Sequence, residues 1–250
     1  MSHRFNILIL FLFIFIGCTS TKKATLAVDQ YSYKLYAVQS NSPNTVLQEL
    51  IDPYNQKMKA QMDEVIGECE TMLEKKQPEG TLNNFMADAM RFQAEKKFNK
   101  KVDIAFVNYG GIRIANVAKG KIAVGKVYEL MPFDNIIVLQ KVPGSILQRI
   151  CNHLASKGGW PSSGIEMQIK DGKAINVKVS GEKLDESKTY TVANSDYIAN
   201  GGDELEYLKN IPQENRGYLF RDAIIDYIRD QTKQGKKISA TLQNRISYAQ

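Results

Sequence analysis

Apolar positions along this chain switch between period two and period 3.6 several times. Tyr31 to Val38 (YSYKLYAV) alternates aromatic and polar side chains, which predicts a strand. Ser42-Pro43 reads as an N-cap followed by proline at the first helical position. Leu47, Leu50, Ile51, Tyr54, Met58, Met62, Val65 and Ile66 then recur at helical spacing and predict a long amphipathic helix. Pro53 is expected to kink or restart it near Asp52. Thr81 is the expected N-cap of a second helix, with Leu82, Phe85, Met86, Ala89 and Phe92 as its inner stripe.

Val102 to Val107 (VDIAFV) reads as a buried strand that stops at Asn108-Tyr109-Gly110-Gly111-Ile112-Arg113. Lys121 to Val124, a helical turn near Lys126 to Leu130, and a strand from Asn135 to Val142 follow. A helix starts at Pro143-Gly144-Ser145 and runs to about Ser156, with Ile146, Leu147, Ile150 and Leu154 inward. Glu166 to Lys170 and Ala174 to Val179 flank Asp171-Gly172, a strong hairpin signal. Tyr190 to Asn194 predicts another strand, and Gly217 to Lys233 a last helix with Leu219, Ile224, Ile225, Tyr227 and Ile228 mostly inward. With no internal repeat and no long linker, the pattern describes one mixed α/β (α+β) domain with helices packed on mixed sheets.

The N-terminus follows a different logic. Arg4 precedes an unbroken apolar run of ten, Ile7 to Ile16, which is short for a permanent span and suits the apolar core of a signal peptide. Phe15-Ile16-Gly17-Cys18 resembles a bacterial lipobox, although Phe15 stands where such boxes more often carry Leu. Residues 1–17 are therefore read as a lipoprotein signal peptide, 18–30 as a tether and 31–250 as the folded domain. The resemblance implies a lipid on Cys18 and a place in the cell envelope. With no Asp after Cys18, the outer membrane of a Gram-negative source is the expectation.

Charge and composition exclude several classes. Loss of Arg4 with the leader lowers the formal charge from +6 to +5. The lysines are scattered, as at Lys75-Lys76, Lys96-Lys97 and Lys236-Lys237, without regular aromatic interleaving, so solvated faces explain them and nucleic acid is not an expected partner. Cys69 and Cys151 fall in helix-like segments without CxxC spacing, and the sequence leaves a disulfide and two buried thiols equally open. His153 is the one histidine beyond the leader and reads as a helix-surface or capping residue. No Asp-x-His pair, Asn-His-Glu run or GxxxxGK[ST] is present, so neither a two-metal phosphatase centre nor a P-loop is expected. Asp185-Glu186 before Ser187 reads as a solvated loop.

Three strand-end loops carry the remaining chemistry. They are Asn108 to Arg113, Met131-Pro132-Phe133-Asp134-Asn135, and Ser195-Asp196-Tyr197-Ile198-Ala199-Asn200-Gly201-Gly202-Asp203. Each sets an aromatic, an amide or a charge beside glycine or proline, and loops held by a scaffold are where binding residues concentrate. Glycines such as Gly111 let backbone approach a ligand.

In this order and spacing, the three loops resemble the C-terminal domain of the 5'-nucleotidase family, over about Tyr31 to Ile246. Asn84, Asp88, Pro143-Gly144, Tyr190 to Ala193 and Asn244-Arg245-Ile246 also match. In that family this domain recognises the nucleoside, while a separate metallophosphatase domain holds the metals. The resemblance implies that Phe133 and Tyr197 sandwich the base, and that Asn108 bonds its edge. Asp203 would accept from ribose hydroxyls, Arg113 would bind phosphate, and Asn200 and Gly111 complete the binding set. Tyr197 stands where the family most often has Phe, Glu204 where a small residue is usual, and an expected arginine falls near Pro78, with Lys75 or Lys76 as the nearest substitutes.

Two functions follow as expectations. One is the substrate-recognition part of a split 5'-nucleotidase, with no cofactor in this chain and divalent metals on a separate metallophosphatase chain. The other is a non-catalytic, membrane-tethered nucleoside-binding or scaffold lipoprotein.

Overall fold

The computed structural model describes residues 45–249. The leader, the tether, Cys18, the Tyr31 to Val38 strand and the Ser42-Pro43 helix start lie outside the described residues. In chain order the elements are α1 (Thr45–Met62), β1 (Val65–Cys69), β2 (Leu73–Glu74), α2 (Thr81–Phe98) and β3 (Ile104–Phe106). A 3-10 turn (Tyr109–Gly111) leads to β4 (Asn116–Val117), β5 (Gly120–Ala123), α3 (Val124–Leu130), β6 (Ile136–Pro143) and α4 (Gly144–Ser156). Then come β7 (Ser162–Ser163), β8 (Ile165–Lys170), β9 (Lys173–Val179), β10 (Glu182–Lys183), β11 (Thr189–Ser195) and α5 (Asp196–Ala199). β12 (Gln213–Leu219), α6 (Phe220–Lys233) and β13 (Ile246–Tyr248) complete the fold.

The central sheet has the order β12-β6-β11-β3-β7, and both of its faces are covered. Ala105 and Ala193 face one core with α2 and α6, while their neighbours Ile104, Phe106 and Val192 face a second core with α4, β8 and β9. Burial on both faces is why these strands read as apolar runs rather than as alternating ones. The second sheet, β10-β9-β8-β13, is mixed, with β13 parallel to β8. It closes the second core, and its hairpin turns at Asp171 and Gly172, both at positive φ (49° and 71°), as the Asp-Gly pair predicts.

Several expectations are corrected. Val65 and Ile66 belong to β1, which pairs with β5, so the helical stripe ends at Met62. α1 continues through Pro53, and its apolar face at Leu50, Tyr54 and Met58 is exposed. Thr81 is the first helical residue and not the cap. Gly80 is the N-cap, and the Thr81 hydroxyl accepts from the Glu74 backbone N–H at 2.8 Å. Phe92 is exposed and packs against the Tyr227 ring, with centroids 5.9 Å apart. Residues 217–219 are strand rather than helix, because Gln213–Leu219 pairs with β6 as a polar edge. Cys69 lies in a strand, and Cys69 and Cys151 are free thiols buried in different cores. Burial pushes the Cys151 thiol up to about 12. Asp185 sits in the expected loop, where Ser187 donates to it through both its backbone N–H and its hydroxyl.

An ion pair ties α2 to the C-terminal segment. Asp88 on α2 accepts from Arg245 through both carboxylate oxygens, at 2.8 and 2.7 Å. The same guanidinium donates to the Ser162 carbonyl on β7 at 2.9 Å, so one side chain joins α2, the sheet edge and the segment entering β13. Arg245→Met removes both guanidinium bonds from the half-buried Asp88 and leaves it only the Ser163 hydroxyl, which donates at 2.7 Å. It is expected to lower unfolding free energy by roughly 3 kcal/mol, the low end for breaking a buried pair, as read from urea denaturation.

Candidate functional site

Three neighbouring strands bring the loops together. β11 runs parallel to β3 and antiparallel to β6. The C-terminal ends of β3 and β11 and the N-terminal end of β6 therefore lie at one end of the sheet. Crevices outside the carboxyl ends of parallel strands are where α/β folds place ligands.

Backbone and side-chain bonds then tie each loop to the next. After β3, Gly111 N–H donates to the Asn108 carbonyl at 2.9 Å and closes the 3-10 turn, while Ile112 is buried in the first core. Arg113 N–H donates to the Leu130 carbonyl at 3.0 Å, joining the first loop to the second. Asp196 Oδ1 accepts from Ile136 N–H at 3.0 Å, joining the third loop to the second. Ser195 caps α5 by accepting from Ile198 N–H at 3.3 Å. Asn108 Nδ2 donates to Asp203 Oδ2 at 2.9 Å, which joins the first loop to the third.

The loop bearing Asp203 has unusual backbone. Gly201 has φ 90°, Asp203 φ 49° and Glu204 φ 68°, so the chain turns through left-handed conformations that side chains seldom adopt. A Cβ on Gly202 would stand 2.5 Å from the Tyr197 ring, so the ring and the glycine backbone fix each other's position. Beyond the turn, Leu205 and Leu208 are buried in the second core. Gln140 on β6 donates to the Leu208 and Ile211 carbonyls at 3.0 and 2.9 Å.

Asn108, Gly110, Gly111, Arg113, Phe133, Asn135, Lys157, Trp160, Tyr197, Asp203 and Glu204 line one cavity of about 560 Å³. Phe133 and Tyr197 are 40% and 45% exposed, whereas Trp160 is 5% exposed, so two large rings stay wet above a buried indole. Among the described residues, Phe133 and Tyr197 stack on no other ring. The Arg113 guanidinium lies 5.7 Å from the Phe133 ring centroid and donates to the Gly110 carbonyl at 3.2 Å. Arg221, largely buried on α6, donates to Asp134 at 2.6 Å and to the Phe133 carbonyl at 3.4 Å, which holds the second loop.

Charge is mixed across this cavity. Lys157 donates to both Glu204 oxygens, at 3.0 and 2.9 Å, and this keeps the Glu204 carboxyl below its ordinary range. Lys75 donates to the Ile112 carbonyl at 2.8 Å and sits over the Tyr109 ring at 4.1 Å. Burial, and then the nearby Arg113 charge, lower the Lys75 ammonium from its ordinary value. Tyr197 Oη donates to Asp203 Oδ1 at 3.0 Å, and that bond raises the phenol. No group of three or more His, Cys, Asp or Glu among the described residues is placed to hold a metal ion.

Of the seven residues singled out from sequence, the structure gathers Asn108, Gly111, Arg113, Phe133, Tyr197 and Asp203 around this cavity. Asn200 is not among the lining residues. It closes α5, and its side-chain oxygen accepts from Gln213 at 3.0 Å. Sequence reasoning missed Trp160 and Lys157. A lone tryptophan after Gly158-Gly159 was the available signal, since paired glycines permit the tight approach that Gly159 makes to Pro78. It also misplaced His153, which is half-buried, meets Trp160 edge-on at 5.4 Å and lies against the Asp203 backbone.

The cavity at the sheet end is thus walled by exposed aromatics, two carboxylates, one guanidinium and one ammonium, the make-up of a ligand-sized recess. The family model of the 5'-nucleotidase C-terminal domain matches residues 63–210, and the chain belongs to that family. It is 25% identical over 213 residues to protein UshA of Yersinia enterocolitica, covering 83% of this chain and 38% of that protein. It is 26% identical over 252 residues to the trifunctional nucleotide phosphoesterase protein YfkN of Bacillus subtilis, covering 92% of this chain and 16% of that one. Among solved structures, the 5'-nucleotidase precursor from Thermus thermophilus superposes with a TM-score of 0.69 at 29% identity, over 82% of this chain and 43% of that one. The Haemophilus influenzae NAD nucleotidase shares the fold, with a TM-score of 0.60 at 19% identity, over 83% of this chain and 42% of that one. The chain thus spans well under half the length of these relatives.

His153 yields a prediction about pH. Burial first, and then Lys157, lower its imidazole below the ordinary 6.5, against opposing effects of Glu204 and Asp203. The unfolded chain then takes up a proton that the folded chain resists, so this contribution to stability is complete above 6.5 and is lost as pH falls through the folded value. His153→Gln is expected to flatten that part of the stability curve. In NMR titration of the wild type, the His153 imidazole should have its midpoint below 6.5.

Proposed function

We propose that this chain is the nucleoside-recognition part of a 5'-nucleotidase-type hydrolase whose metals are carried by a separate metallophosphatase chain. The base lies between Phe133 and Tyr197, the sugar meets Asp203, and Arg113 faces the phosphate with Lys75 behind it. The observation that carries this reading is the pair of exposed rings on one cavity, with Asp203 on the same cavity bonded to Tyr197 and to Asn108. Stacking on an aromatic face is worth about 1–3 kcal/mol per base and tolerates any base, which suits a recognition domain. Asp203 is acceptor-only and Arg113 donor-only, so the two ends of a nucleotide would be told apart by hydrogen-bond sense.

Supply of metals by another chain rests on two supports. The matched residues 63–210 correspond to the C-terminal domain, and the described residues offer no metal-ligand cluster. Attachment to the cell envelope through Cys18 rests on the apolar run from Ile7 to Ile16 and on Gly17-Cys18. A second reading, a tethered nucleoside-binding lipoprotein without a catalytic partner, is favoured by Glu204, whose carboxylate lines the same cavity that a phosphate would enter.

Titration calorimetry with adenosine should show binding by the wild type, and Phe133→Ala should lose about 1–3 kcal/mol of it. Equal affinity in both proteins would remove Phe133 from the site. The two readings separate when the purified chain is mixed with a metallophosphatase carrying Asp-x-His and Gly-Asn-His-Glu motifs. Metal-dependent AMP hydrolysis that exceeds the sum of the separate proteins is expected for the first reading. Adenosine binding without any gain in hydrolysis points to the second.

A further inference from the structure

The Asp203 carboxylate is already engaged on both sides. Oδ1 accepts from the Tyr197 hydroxyl at 3.0 Å and Oδ2 from Asn108 Nδ2 at 2.9 Å. Neither donor is free to wander. The Tyr197 ring is pinned against Gly202, where a Cβ would stand 2.5 Å away. Asn108 is pinned over Gly111, where a Cβ would stand 2.7 Å from its Oδ1. Asp203 itself sits at φ 49°, ψ 44°, a left-handed conformation between Gly202 and Glu204. The carboxylate also fixes the Asn108 amide: only the Nδ2 end can face an acceptor-only group.

We infer that Tyr197 determines how this site treats the sugar: its hydroxyl occupies an acceptor position on Asp203 that a sugar hydroxyl would otherwise take, so the site accepts deoxyribonucleosides almost as readily as ribonucleosides. An ionised carboxylate offers about four lone-pair positions over two oxygens. A vicinal diol is best served when one oxygen accepts each hydroxyl from the same side. With one donor already on each oxygen, two of those positions remain, one per oxygen, and a second bond to an oxygen already engaged by the phenol or the amide is weaker than a first. Loss of a second sugar hydroxyl then removes little. The phenol is a donor at neutral pH, as an ordinary tyrosine hydroxyl is, and its bond to Asp203 shifts it further the same way. Phenylalanine at this position keeps the stacking face and frees the acceptor.

This inference rests on the nucleoside reading above, and its test separates the two. Dissociation constants for adenosine, 2'-deoxyadenosine and 2',3'-dideoxyadenosine would be measured by calorimetry for wild type and Tyr197→Phe. In the wild type, adenosine and 2'-deoxyadenosine are expected to bind within about threefold of each other, less than one charged hydrogen bond normally distinguishes. In Tyr197→Phe, adenosine should tighten several-fold while dideoxyadenosine stays unchanged. The ribose-to-deoxyribose ratio should then rise to roughly tenfold or more, the lower value for a hydrogen bond to a charged group. An unchanged ratio, or equal weakening of all three ligands in Tyr197→Phe, overturns the assignment and leaves Tyr197 as a stacking or pre-organising residue only. Failure of the wild type to bind any of the three removes the nucleoside reading itself, and this inference with it.

Discussion

The register of β11 between β3 and β6 is the constraint on which the site depends. Val192 and Ala193 stand opposite Ile104 and Ala105 on one side, while Asn194 and Ser195 stand opposite Val138 and Ile137 on the other. A slip of one residue on either side would exchange the two faces of a strand buried on both, and would carry Asp196 and Tyr197 away from Phe133. Because alanines face α2 and α6 while larger residues face α4, the register is written in side-chain volume. The cost of refilling those two cores wrongly is what holds the three loops at one end of the sheet.

On that frame the loops lock one another by hydrogen bonds that no single segment could make. Arg113 N–H reaches the end of α3, Asp196 reaches the start of β6, and Asn108 reaches Asp203. Arg221 adds a fourth tie from α6 to the loop of Phe133. The rings can therefore remain exposed without collapsing on one another. Two large side chains near 40% exposed are an apolar liability unless something flat covers them. Their support, rather than their identity alone, distinguishes them from scattered surface aromatics.

Much of this was legible in the sequence, for definite reasons. Period-two and period-3.6 patterns located α2, β6, α4, the β8–β9 hairpin, β11 and most of α6, because those elements bury one face or both. The three loops stood out because glycine beside an amide or a charge at a strand end has few structural uses. The misses share a cause as well. Val65 and Ile66 continue the helical spacing of α1 by coincidence, and only pairing with β5 makes them strand. Gln213 to Leu219 is polar because it forms an edge, so nothing apolar announces it. Phe92 fits the helix stripe by spacing, yet faces solvent beside Tyr227.

The relation of Tyr197 to Asp203 belongs to a third kind, invisible to pattern and set wholly by backbone. Six residues apart in sequence, they meet because Gly201 and Gly202 let the chain double back and Asp203 accepts a left-handed conformation. The same turn sets His153 under the Asp203 backbone and brings Glu204 against Lys157. One short reversal thus places an exposed ring, a carboxylate and an ion pair on the same rim. A carboxylate so held is already oriented before a ligand arrives, which lowers the entropy lost on binding, but its acceptor capacity is partly consumed by the groups that orient it. On the nucleoside reading proposed above, selectivity for the sugar and pre-organisation of the site are coupled through a single hydroxyl, and gain in one is offset by loss in the other.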